Sequence, residues 1–176
     1  MSSRLGFDAL VGGRTPTLMF GPPLQGDLEA SARCALAELS VDARRRVADS
    51  FKETIEPNAA GVEGLDDIIK NMWKSDWSPE HSIIDRICTD FGALYCAAFL
   101  SVSGLQPVFR STTELDHVSF WNAASTREYF PFHKVVKALS SCEGESLAQM
   151  FADALSDRPA QQGAQADGPA SGGSAA

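Results

Sequence analysis

The sequence predicts an α+β protein: a helical N-terminal half, one long central helix packed on a small antiparallel sheet of two to four strands, and two C-terminal helices. Three observations carry this. Ile84, Ile87, Cys88, Phe91, Leu94, Tyr95, Ala98, Phe99 and Val102 recur at steps of three and four, which lays a stripe along one helix. Two short runs rich in β-branched and aromatic residues follow, at 105–110 and 117–122. Helical spacing then returns at Phe132, Val135, Val136 and Leu139, and again from Leu147 to Leu155.

Taken in order, residues 1–26 are rich in glycine and proline and read as an irregular segment, with a short strand at 17–20 stopped by Gly21-Pro22-Pro23. Gly12-Gly13-Arg14-Thr15 lacks the order, the lysine and the following helix of a phosphate loop. Leu28, Ala32, Ala35, Leu36 and Leu39 predict a helix over 27–39. Ser40 is placed to cap a further one carrying Val47, Phe51 and Ile55 to Pro57, and so short a connection predicts an antiparallel helical hairpin. Residues 58–64 read as a loop and 65–72 as a short helix with Ile68, Ile69 and Met72 inward. Trp73 and Trp77 flank the turn before the central helix.

That helix opens at Ser78-Pro79-Glu80, where serine accepts from first-turn amides, proline gives up an N–H with no partner, and glutamate meets the positive end of the dipole. Ile83, Ala93, Cys96, Ala97 and Leu100 widen the stripe, so cover on more than one side is expected, and Gly104 is the natural terminator. In 117–122, Val118, Phe120 and Asn122 fall on one face and His117, Ser119 and Trp121 on the other. The linking residues 111–114 are polar but lack the Asn-Gly of a tight hairpin. A third extended run ends at Phe130, because Pro131 biases its predecessor away from helix. Ser146 with Gln149 forms a capping-box pattern ahead of the last helix. From 157 the composition collapses to Ala, Gly, Ser, Gln, Asp and Pro, a tail that cannot offset the entropy of ordering and is expected to be disordered. The organisation is thus a 1–26 segment, one domain over 27–156, and a 157–176 tail.

A chain of 176 residues supports one domain with a real core. A net charge of −8 argues against non-specific nucleic-acid binding, which needs clustered Lys and Arg to neutralise phosphates. Arg44-Arg45-Arg46, beside acidic neighbours in a helical stretch, reads as a solvated face. The start lacks the apolar segment of a secretory signal, so a cytoplasmic protein is expected, and no apolar run approaches the ~20 residues that span a bilayer. Cys34, Cys88, Cys96 and Cys142 show no CxxC spacing and are expected to be buried free thiols, neither disulfides nor a zinc site.

Catalytic chemistry has no motif here. His81 and Asp85 lie one helical turn apart without the HExxH order. Ser101-Val102-Ser103-Gly104 and Ser140-Ser141-Cys142 are not nucleophile elbows, and the acid pairs Asp66-Asp67 and Glu143/Glu145 are what chance supplies in a chain with 23 acidic residues. His117, which follows Asp116 with Glu114 nearby, could meet Trp121, Tyr129 and His133 if strand and helix pack together, and this is the one candidate polar pocket. No catalytic residue, metal or cofactor is expected.

From about Ile83 to Leu155 the chain resembles small uncharacterised bacterial α+β proteins, through Phe91-Gly92-Ala93 in the helix, the strand around Phe120-Trp121, and Tyr129-Phe130-Pro131-Phe132-His133-Lys134-Val135-Val136. Some similar small acidic domains act as immunity or accessory proteins of secreted toxins, so the resemblance implies an immunity- or accessory-type role. The expected function is a non-enzymatic module that binds another protein. The acidity fits a partner with a basic surface, and Trp73, Trp77, Trp121 and Tyr129 are the natural anchors. The alternative is a small-ligand binder or enzyme using a pocket near His117 and His133.

Overall fold

The computed structural model describes residues 21–75, 80–141 and 146–157. The expected strand at 17–20, the helix start at Ser78-Pro79, Trp77, Cys142 and the tail from 158 lie outside those residues.

The first helix, α1, is Asp27–Phe51, a single rod of 25 residues. The hairpin expected over 27–57 is therefore corrected. No glycine or proline interrupts 27–51, and Ser40 meets its hydrogen-bonding need inside the helix by donating to the Ala37 carbonyl at 2.8 Å, a bond that a mid-helix serine can make as well as a cap. Ala32, Leu36, Ala43 and Val47 form its buried stripe. It stops at Lys52, whose φ of 61° is left-handed and whose N–H closes onto the Ala48 carbonyl.

The second helix, α2, is Ala59–Lys74. It takes in most of what reads as a loop at 58–64, because the Asn58 side chain accepts from the Gly61 N–H at 3.0 Å and starts the helix a turn and a half early. Val62, Leu65, Ile68, Ile69 and Met72 face inward.

The central helix, α3, is His81–Leu100, with the Glu80 carbonyl accepting from Ile83 and Ile84. As its wide stripe predicts, its second half is enclosed: Phe91, Ala93, Leu94, Tyr95, Cys96, Ala98 and Phe99 are each no more than 2% exposed. Gly104, at φ 89°, turns the chain into the sheet.

Strands β1 (Leu105–Phe109), β2 (Val118–Asn122) and β3 (Arg127–Tyr129) form one antiparallel sheet in that order. Phe109 pairs with Val118, Pro107 with Phe120, and Phe120 with Tyr129. The last helices are α4 (Pro131–Ser140) and α5 (Leu147–Ser156). Ser146 caps α5 as its spacing predicts, accepting from Gln149 N–H at 3.0 Å. The architecture is α+β. Its core centres on Phe99 of α3, whose ring lies 5.3 Å from Phe120, 5.8 Å from Tyr129 and 5.3 Å from Phe151. One helix thus carries the sheet on one side and α5 on another. No helix among the described residues is long and apolar enough to cross a membrane.

Candidate functional site

Between β1 and β2 the chain makes a compact turn. Ser111 Oγ accepts from the backbone N–H groups of Thr113 and Glu114, both at 3.2 Å. Leu115–His117 then closes one 3₁₀ turn, with the His117 N–H on the Glu114 carbonyl and the His117 carbonyl accepting from Arg110. Residues three apart eclipse in such a turn, so Glu114 and His117 stand together and Nδ1 of His117 lies 3.0 Å from a Glu114 carboxylate oxygen. Asp116 joins them: one donor atom from each of the three lies within 4.8 Å of the others.

His133 reaches this turn from the first turn of α4. Its imidazole stacks on Phe130 at 5.7 Å and hydrogen-bonds the backbone of Asp116. Desolvation of the ring holds its pKa below the ordinary histidine value; the Asp116 carboxylate and backbone pull the other way, and His117 adds a smaller repulsion.

The expected four-residue pocket does not assemble whole. His117 and His133 come together, but Tyr129 and Trp121 lie on opposite faces of the sheet and cannot both join them. Tyr129 is opposite Phe120 in register and so shares its inward face. It is 7% exposed, and its hydroxyl donates to Asp157 at 2.7 Å. Burial, then the Asp157 carboxylate, push its pKa up to about 12. Tyr129 is a core residue, neither pocket wall nor exposed anchor. Trp121 sits on the opposite face, across from Glu128, and is half-buried.

Comparison with protein-family models, curated proteins and solved structures finds no match for this chain.

The second candidate surface surrounds Trp73, near the end of α2. Its indole N–H donates to the Ala138 carbonyl, 65 residues away, at 3.0 Å, yet the residue remains 43% exposed. The bond fixes the ring against α4 while leaving part of it in solvent. Lys70 stands one turn earlier on the same face, Lys74 follows it, and Lys137 adjoins the accepting residue on α4; all three are exposed. Only a weak exposed contact, 3.6 Å from Lys70 to Asp67, offsets this charge among the described ion pairs. The lysines bear the sign opposite to the chain's net charge. Spacing alone shows Lys70, Trp73 and Lys74 together, but only the fold adds Lys137.

Other polar groups of the described residues have structural work. Asp66 is 5% exposed and accepts from the N–H groups of Leu147 and Ala148 at 2.8 and 3.1 Å, capping α5 from a different helix. Asp90 accepts three hydrogen bonds from Arg46, two from Nε and one from a terminal guanidinium nitrogen, joining α3 to α1. Behind β2, Arg110 donates to Ser119 and to Glu128 at 2.7 and 2.8 Å, which is how Ser119 comes to be fully buried on the face expected to be polar. Asp157, assigned with the tail on composition, is tied to β2 and β3 through Asn122, Arg127 and Tyr129.

The thiols differ from one another. Cys34 is exposed, which corrects the expectation that it is buried. It lies outside the stripe that α1 turns inward. Burial, aided by Asp85, raises the Cys88 thiol to about 11, and burial raises Cys96 to about 12 against a smaller opposing bond from the Phe132 backbone. Neither is poised as a nucleophile at neutral pH. A hollow of about 280 Å³ between α1 and α3, floored by Phe51, Ile87 and Phe91, carries Arg46, already bound to Asp90, and Arg86 at its rim.

Proposed function

We propose that the protein is a non-enzymatic protein-binding module whose anchor is Trp73. The observation that carries this reading is an aromatic ring held in one orientation by its own N–H, partly in solvent, with exposed Lys70 and Lys74 at neighbouring positions of α2 and exposed Lys137 next to its acceptor on α4. Binding hot spots are enriched in tryptophan because one large ring supplies much contact area with few rotamers to freeze. Fixing the ring in advance lowers the ordering cost further.

The charge of the rim selects the partner. From the net charge alone, a partner with a basic surface is expected. Around Trp73 the local charge is positive instead, so the partner segment that fits presents acidic residues beside an apolar one. An acidic protein segment is favoured over nucleic acid because the chain as a whole carries −8, which opposes a polyanion at longer range. The immunity- or accessory-type role that the resemblance implies belongs to this reading as a particular case.

The test is affinity capture from the native source with the full chain and with a Lys70→Glu, Lys74→Glu, Lys137→Glu variant, followed by titration of the captured protein. These lysines are exposed, so the variant should keep the thermal midpoint of the parent. A stoichiometric partner held by the parent and bound at least ~10-fold more weakly by the variant, with Trp73→Ala costing about 2 kcal/mol or more of binding, is the expected result. Equal binding by parent and variant, or no stoichiometric partner at all, overturns it.

A further inference from the structure

We propose that Glu114, Asp116 and His117 form a binding site for one divalent transition cation of the zinc type. The cluster is a mixed donor set, one imidazole nitrogen and two carboxylate oxygens, from residues that a single 3₁₀ turn gathers. Imidazole with carboxylate suits zinc and its first-row neighbours, whereas calcium and magnesium prefer oxygen alone.

Distances come first. A tetrahedral zinc-type ion with bonds of about 2.0–2.2 Å needs its donors roughly 3.3–3.6 Å apart. The Glu114–His117 pair is at 3.0 Å, and the whole set falls within 4.8 Å. Opening the closest pair by several tenths of an ångström and closing the widest by up to about 1.3 Å falls to side chains on rotatable stems.

Charge is the second argument. Glu114 and Asp116 bring two carboxylates together, with the imidazoles of His117 and His133 beside them. Among the described residues no lysine or arginine forms an ion pair with Glu114 or Asp116. A dication balances the charge of the two carboxylates.

Third, the turn is held from outside the donors. Ser111 Oγ fixes the backbone before Glu114, Arg110 N–H holds the His117 carbonyl in the sheet, and His133 from α4 bonds the backbone of Asp116. Contacts from neighbouring elements that orient ligands without touching the ion are the usual support of a metal site.

The test uses untagged, chelator-treated full chain titrated with Zn²⁺ by calorimetry, with Co²⁺ absorption to read ligand type. The expected result is one equivalent bound more tightly than about 1 mM. Glu114→Gln, Asp116→Asn and His117→Ala should each weaken it at least ~10-fold with unchanged circular dichroism. The Co²⁺ spectrum should show nitrogen and oxygen ligation without a thiolate band. Failure of the parent to bind, or His117→Ala binding Zn²⁺ with the parent's affinity and stoichiometry, overturns the proposal. A thiolate band in the Co²⁺ spectrum places the ion at a cysteine and does the same.

Discussion

Replacing Asp66 by alanine should cost the protein about 3 kcal/mol of stability, while the same change at its neighbour Asp67 should cost almost nothing. Asp66 is 5% exposed, and its two oxygens accept from the N–H groups of Leu147 and Ala148 at 2.8 and 3.1 Å. A hydrogen bond to a charged group contributes about 1.5–3 kcal/mol, and a carboxylate at a helix N-terminus about 0.3–1 kcal/mol more. Alanine leaves two first-turn donors of α5 without their acceptor, at a point where Leu147 has no access to water. The full sum would approach 6 kcal/mol. Partial rehydration of a ten-residue helix near the chain end recovers some of it, which brings the expectation to about half. Asn, which keeps one oxygen and turns an NH₂ group toward the other donor, should cost roughly 2 kcal/mol. Asp67 is exposed and reaches only Lys70, at 3.6 Å, so Asp67→Ala should stay within about 0.5 kcal/mol. Urea unfolding followed by circular dichroism measures both, with equal slopes required before midpoints are compared. If Asp66→Ala and Asp67→Ala lose the same amount, or Asp66→Ala loses less than about 1 kcal/mol, the cross-helix cap is not what holds α5.

Two further outcomes follow from the same coordinates. Gly61→Ala should destabilise by at least ~1–3 kcal/mol although alanine is the better helix former by about 1 kcal/mol, because its methyl would overlap the Glu56 backbone carbonyl. At Gly64 the nearest atom, 3.0 Å away, is the end of the Ile55 side chain, which can give, so Gly64→Ala should fall near neutral; urea midpoints in the reverse order refute the packing argument. In a Cys142→Ser background, thiol titration at pH 8 should find Cys34 alone fast: with its pKa near 11, Cys88 is only about one part in a thousand thiolate there, and its rate should rise roughly tenfold per pH unit toward 11. Labelling of Cys88 at the Cys34 rate at pH 8 would contradict this.

The parts of the fold that were legible in the sequence are those set by short-range pattern. The α3 stripe, the non-helical Phe130 before Pro131 and the Ser146 cap each depend on residues a few positions apart, and each appears as expected, whereas α3 ends at Leu100 with Ser101 as its cap, ahead of the left-handed Gly104 expected to terminate it. The errors came where a polar or small residue had two local uses of similar energy. Ser40 could cap a new helix or bond back to Ala37, and the second costs less when no glycine or proline stands near. Asn58 reads as part of a loop because Gly61 and Gly64 follow it, but those glycines lie inside α2. Gly61 is there because the chain from Glu56 passes too close for a side chain, a contact that no helix propensity registers.

At the surface, legibility depended on whether the partners are near in sequence. Glu114, Asp116 and His117 lie within four residues, so their proximity is visible before any fold is known. A pocket that holds both Trp121 and Tyr129 ignores the strand register, and register decides the matter. Once Phe120 pairs with Tyr129, Trp121 must point the other way, since successive residues of a strand face opposite sides. Asp66 and Asp67 cannot be told apart by composition, charge or spacing. What separates a buried cap from a solvated carboxylate is the start of α5, some 80 positions downstream. The same holds for Trp73, whose indole acceptor is 65 residues away. In the sequence, Trp73 is a natural anchor only as an exposed aromatic. What makes it a candidate is the long-range bond that leaves the ring fixed and still in part uncovered, because an exposed ring free to rotate would have to give up that freedom on binding.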